Sequence, residues 1–147
     1  YPEYSLYFLS CVGFYFVIPE AILFKRYTDV YSYVNIKSIV IIITVSLLFM
    51  LFPPFQNFDY SIPTMGYMDK IFRVFGSDFL RVVLFCVFAI LACLRFCVLR
   101  IETILLLSNV ILMAKSHIAW DKYLLPLIVI LWFLTAIECN GKREPLS

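Results

Sequence analysis

Five long apolar runs divide this chain, and they constrain its fold more than any other feature. The stretch from residue 38 to residue 52 carries no charged side chain and includes an unbroken β-branched segment from Ile39 to Ile43. Apolar residues make up 63% of the chain and charged residues 15%, against about 45–50% and about 25% in globular proteins. A globule of this size could not bury so much apolar surface. The sequence therefore predicts an integral membrane protein.

Continuous apolar runs predict membrane-spanning helices, since alternating strands would show a period of two. A bilayer core requires about 20 helical residues, and we expect an all-α, polytopic transmembrane helical bundle of about five spans. The spans are expected near residues 4–24, 38–54, 79–99, 101–114 and 122–138. Residues 1–147 would form one transmembrane region. Because the chain opens at Tyr1 and enters an apolar run almost at once, we interpret it as a fragment of a longer polytopic protein.

The polar loop at residues 55–78 is expected to contain one interfacial amphipathic helix. Met65, Met68, Phe72 and Phe75 fall on one stripe of that helix. The charged residues off the stripe are Asp69, Lys70 and Arg73. This pattern is typical of a helix that lies on the bilayer with its charged face in water. Gly76 follows in the position where a glycine commonly ends a helix.

Charged residues at the edges of the apolar runs are interpreted as interfacial. Arg95, Arg100 and Glu102 mark a tight hairpin between the third and fourth runs. We expect both arginines to snorkel to lipid headgroups, with a paired intramembrane switch as the alternative. Glu20, next to Pro19 near the end of the first run, is expected to be an interfacial carboxylate.

The segment before the last run is the best candidate for chemistry. Lys115, His117 and Lys122 could hold a lipid-linked phosphate together with Tyr123, because ammonium groups bind phosphate and histidine can exchange a proton. Arg81 is added because the expected topology puts it on the same, extracytoplasmic side, opposite a cytoplasmic tail. The alternative is a short polar loop with snorkelling lysines.

Other functional classes find little support in the sequence. No phosphate-binding glycine loop, nucleophile motif or His/Cys set at metal-ligand spacing occurs, so we expect no metal and no cofactor and leave the catalytic residue unassigned. A formal charge of +2 lacks the clustered basic excess of nucleic-acid-binding domains. Membrane lipid is therefore the expected environment, in the endoplasmic reticulum or a bacterial inner membrane, beside the rest of the parent protein or other membrane subunits.

Two short motifs resemble integral-membrane glycosyltransferases of the GT-C superfamily. Residues 121–126, with the sequence DKYLLP, resemble the basic-aromatic entry to the last span in that family, and residues 1–8 resemble the entry to a mid-protein span. The resemblance implies a polyprenyl-phosphate-linked sugar as donor, with Lys122 and Tyr123 near the lipid phosphate. The family's catalytic carboxylate usually lies near the N-terminus of the whole enzyme, so this chain would supply donor binding and scaffold.

We therefore expect a membrane glycosyltransferase region that binds a polyprenyl-phosphate-linked sugar donor. The alternatives are a transporter or channel segment and a non-enzymatic membrane subunit. A transporter would be expected to place ionisable groups or broken helices near the membrane midplane. The second and fifth apolar runs carry no charge within them, which favours the glycosyltransferase.

Overall fold

The computed structural model describes residues 2–24, 36–54, 66–74, 76–115 and 121–141. Within these ranges the chain is helical and contains no strand, which confirms the all-α class. A short 3₁₀ turn, Asp121–Tyr123, precedes the last helix. The helices are α1 Pro2–Val12, α2 Ile18–Phe24, α3 Ile36–Leu51, α4 Tyr67–Arg73, α5 Asp78–Arg95, α6 Ile101–Ala114 and α7 Leu125–Gly141.

One continuous helical stretch is long and apolar enough to cross a membrane on its own. It covers Pro2–Leu23, 22 residues with a mean hydropathy of 1.8. Helices α3 and α6 are apolar but shorter, with 16 and 14 residues. A membrane-associated helical protein is therefore indicated, and the number of spans stays a prediction.

A π-helical turn, Gly13–Val17, joins α1 to α2, and we call residues 2–24 the N-terminal helix. In this turn the amide of Ile18 donates to the carbonyl of Gly13, five residues back. Pro19 follows directly; it has no amide hydrogen, and its ring crowds the carbonyl of Tyr15 four residues earlier. The wider π turn relieves that conflict without ending the helix.

The N-terminal helix and α5 run parallel and in very close contact. The Ser10 hydroxyl donates to the carbonyl of Phe85 at 2.8 Å, across 75 residues of sequence. One turn further on, a Cβ atom built on Gly13 would lie 2.0 Å from the carbonyl oxygen of Phe88. Only a residue without a side chain allows the two backbones to approach this closely.

The remaining helices pack around this parallel pair. The Ser5 hydroxyl donates to the carbonyl of Val110 at 2.9 Å, which places the C-terminal half of α6 beside the start of the N-terminal helix. The rings of Phe16 and Trp132 meet edge to face at 5.4 Å and attach α7 to the π turn. Helix α3 packs against α5.

This arrangement gives the bundle two ends with different charged groups. The lysine end collects the starts of the N-terminal helix, α5 and α7 and the end of α6, with Lys115 and Lys122. The acidic end collects the opposite termini, with Glu20, Glu102 and Glu138.

Helix α4 exists where an amphipathic helix was expected, but its orientation differs. Met68 and Phe72 are buried, at 0% and 5% exposure, and the Phe72 ring stacks on Phe88 at 5.6 Å. Their side of the helix therefore faces protein. Asp69, expected on a solvated face, is 0% exposed, so that expectation was wrong. Met65 and Phe75 lie outside the described residues.

The junction between α4 and α5 follows its sequence signals. Gly76 has a φ of +67°, the left-handed conformation that favours glycine. Ser77 caps α5, accepting a hydrogen bond from the Leu80 amide at 3.5 Å.

Candidate functional site

A buried ion pair joins the N-terminal helix to α5 at the acidic end. The Nε and Nη2 atoms of Arg95 donate to the two carboxylate oxygens of Glu20 at 2.7 and 2.8 Å. The Arg95 side chain is 16% exposed and that of Glu20 3%. The expectation that Arg95 snorkels to headgroups was therefore wrong, because its guanidinium pairs inside the protein. Glu20 is buried against protein, and its depth in a membrane stays a prediction. The parallel register of the two helices brings Glu20 directly opposite the guanidinium.

A second carboxylate approaches the same guanidinium from α6. Glu102 Oε2 lies 3.7 Å from Arg95 Nη2, and the Glu102 side chain is 9% exposed. This oxygen is buried and accepts no hydrogen bond from the residues that the structure describes. We call Glu20, Arg95 and Glu102 the acidic cluster, because it holds two carboxylates and one guanidinium.

The hairpin between α5 and α6 positions Glu102. The Thr103 hydroxyl donates to the carbonyl of Val98 at 2.6 Å, which closes the turn and directs the first residues of α6 back toward α5. Arg100, at the start of this helix, reaches Glu138 of α7 at 3.1 Å and remains 55% exposed. The hairpin expected from the sequence is confirmed, and its two arginines also pair with carboxylates of other helices.

In the acidic cluster, two carboxylates bind the Arg95 guanidinium and so link three helices, but this set of side chains does not resemble a metal site. Among the described residues no group of three or more His, Cys, Asp or Glu is arranged to hold a metal ion. The acidic cluster thus joins helices inside the bundle, and one carboxylate oxygen of Glu102 can still accept a hydrogen bond.

At the lysine end, Arg81 is occupied by two carboxylates. It pairs with Asp69 of α4 at 2.5 Å and with Asp78 of its own helix at 2.6 Å. The Arg81 side chain is 11% exposed. A phosphate at this position would have to displace a carboxylate. The pairing also explains why Asp69 is buried, because the guanidinium compensates its charge.

Lys115, Lys122 and Tyr123 lie at the same end and are exposed. Lys115, at the C-terminus of α6, is exposed and forms no ion pair with the described residues. Lys122 is exposed, and its ammonium lies 5.5 Å from the centre of the Tyr123 ring. Tyr123 is itself 43% exposed. His117 lies outside the described residues.

A scan against protein-family models and searches of curated proteins and of solved structures found no match to this chain. The charged groups at the two ends of the bundle are therefore the features that bear on function. At one end Glu20 is buried and paired with Arg95 across helices, and at the other Lys115 and Lys122 remain accessible.

Sequence reasoning missed the partnership of Glu20 with Arg95. The two residues are separated by 75 positions, so no local spacing rule relates them. The available signal was that each stands near the C-terminal end of an apolar run, where opposite charges can meet if the two runs are parallel. Local patterns alone do not give that relative direction.

Proposed function

We propose that this chain is the multi-pass region of an integral membrane protein. The supporting observation is that the outward faces of α3, α6 and α7 are apolar along their length, at helical spacing. Exposed residues that represent these faces are Ile39, Ile43, Leu47, Ile104, Leu107, Ile111, Val129, Phe133 and Ile137. Contiguous apolar surfaces of this extent are costly in water and favourable in lipid.

The multi-pass proposal is tested by extraction and by topology mapping of the full-length protein. We expect it to stay in the membrane pellet after an alkaline carbonate wash. A glycosylation acceptor inserted between residues 116 and 120 should be modified, and one inserted between residues 97 and 99 should not, because α6 separates them. Release by carbonate, or the same modification state at both positions, contradicts the proposal.

We further propose that the lysine end binds the phosphate of a polyprenyl-linked sugar, as part of a glycosyltransferase. The accessibility of Lys115 and Lys122 carries this proposal, because both side chains are exposed, whereas that of Arg95 is 16% exposed. Leu112 and Leu125, near these lysines, are 64% and 61% exposed. A prenyl chain could follow these apolar side chains while its phosphate meets the ammonium groups.

Lys122 is the lead residue for the phosphate. A charge-assisted hydrogen bond contributes about 1.5–3 kcal/mol, so Lys122→Ala should weaken donor affinity about 10- to 100-fold. Lys122→Arg should restore part of this, since it keeps the charge but changes its geometry. Lys37→Ala, which removes an exposed lysine from the start of α3, is the matched control.

The measurement is sugar transfer from a polyprenyl-phosphate sugar by the full-length protein in microsomes, with matched expression of each variant. Binding of a short-chain polyprenyl phosphate without sugar provides a second readout. If Lys122→Ala and the double variant Lys115→Ala, Lys122→Ala keep the donor dependence of the parent, the phosphate assignment is wrong.

A transporter segment is the second candidate, and the acidic cluster favours it. Buried ionisable residues within apolar helices are typical of ion and substrate pathways, and π turns occur frequently at functional sites. Both features lie on the N-terminal helix. For a transporter, Glu102→Gln would alter solute flux in reconstituted vesicles, while Lys122→Ala would leave it unchanged.

A further inference from the structure

One face of helix α4 packs against the bundle, so the opposite face of this helix points away from it. Phe72 contacts the rings of Phe85 and Phe88 at 5.5 and 5.6 Å. On the same side, Asp69 pairs with Arg81 of α5. These contacts come from two successive turns of α5, so α4 cannot rotate about its axis without losing them.

The outward face of α4 is also apolar. Tyr67, Ile71 and Val74 recur at helical spacing and are 74%, 48% and 85% exposed. Phe79, in the first turn of α5, is 79% exposed. The Lys70 ammonium, at the border of this face, lies 5.6 Å from the centre of the Tyr67 ring. Apolar side chains therefore cover both sides of a short helix at one end of the bundle.

We propose that Tyr67, Ile71, Val74 and Phe79 form a monolayer-docking surface, which inserts into the headgroup–acyl boundary of the surrounding lipid. This inference rests on the proposed membrane location of the bundle. It reverses the orientation expected from the sequence, because the stripe of Met68 and Phe72 packs on protein.

The composition and position of this surface favour lipid as its occupant. An aromatic ring with an adjacent ammonium is typical of side chains at a membrane interface, where the ring lies below the headgroups and the amine reaches them. The surface also continues along α5, where Val83 and Val87 follow Phe79 at intervals of one turn and are 38% and 46% exposed. An interfacial helix buries such a face about 5–10 Å into the boundary.

The test places the photo-crosslinking residue p-benzoylphenylalanine at single positions of the full-length protein in its native membrane. Positions 67 and 74 report on the docking surface, and position 72 is the inward-facing control. Position 129 reports on lipid contact of α7, because Val129 is 66% exposed in the middle of that helix. After irradiation, mass spectrometry identifies peptides that have gained the mass of a phospholipid.

We expect phospholipid adducts at positions 67, 74 and 129, at a level at least about fivefold above position 72, because only the outward face meets lipid. Crosslinks from positions 67 and 74 to another protein would overturn the docking surface, since a subunit would then cover it. The absence of adducts at 67 and 74, with adducts present at 129, overturns the docking surface and leaves the membrane location intact. The absence of adducts at 129 overturns both.

Discussion

At the two ends of the bundle, Arg95 and the lysines hold their charges in opposite ways. At the acidic end, the Arg95 guanidinium is 16% exposed, makes two hydrogen bonds to Glu20 and lies near Glu102. At the lysine end, Lys115 and Lys122 are exposed at helix termini. The N-terminal helix connects the two ends and contributes Glu20 to the pair with Arg95.

This difference separates charges that hold the fold from charges that are available to a ligand. A buried charge has lost its water and depends on its partner, so the helices that carry the pair must stay together. An exposed ammonium retains its hydration and can exchange it for a phosphate oxygen. We therefore expect substitutions of Arg95 or Glu20 to change stability, and substitutions of Lys115 or Lys122 to change binding.

The largest effect is expected from Arg95→Met, which leaves Glu20 and Glu102 buried without their cation. Removing one partner of a buried ion pair costs about 3–5 kcal/mol. The loss should appear as a lower Tm of the purified full-length protein in detergent. Glu20→Gln combined with Arg95→Met should recover part of the loss, because it removes one of the two buried negative charges. If Arg95→Met keeps the Tm of the parent protein, the buried ion pair does not stabilise the fold and the prediction is wrong.

Gly13→Ala should affect both ends, because it acts where the N-terminal helix meets α5. The new Cβ would lie 2.0 Å from the Phe88 carbonyl oxygen, and backbone must move to admit it. Overpacking of this kind costs about 1–3 kcal/mol. Ala136→Val, at an exposed position of α7, is the control for an added side chain. Equal Tm values for Gly13→Ala and Ala136→Val would contradict a close contact between the N-terminal helix and α5 at Gly13.

The smallest effect is expected from Arg100→Gln. Its guanidinium is 55% exposed in the pair with Glu138, and exposed pairs contribute about 0–1 kcal/mol. The same Tm measurement that registers Arg95→Met should therefore register little change. A loss as large as that of Arg95→Met would show that exposure does not distinguish these two arginines.

The helices were largely predictable from the sequence, because apolar runs and local caps depend on neighbouring residues. The turn between α5 and α6, the left-handed Gly76 and the cap at Ser77 all follow from such signals. The π turn is different, since Pro19 indicates a disturbed helix but not how the backbone accommodates it.

The candidate site was predictable only in part. Lys115 and Lys122 at helix termini follow from the pattern of runs, whereas Glu20 with Arg95, and Asp69 with Arg81, depend on which helices meet. The period of α4 did not show which face turns inward, because both of its faces are apolar. Charge compensation by a partner remote in sequence decided the orientation of Asp69.

The parallel register of the N-terminal helix and α5 has a consequence for how the protein is made. Arg95 emerges from the ribosome 75 residues after Glu20, a delay of about 4–15 s at 5–20 residues per second. During that interval the first helix has neither its guanidinium nor the carbonyls of α5 to pack against. The N-terminal helix therefore remains without these partners until α5 arrives and completes their contact.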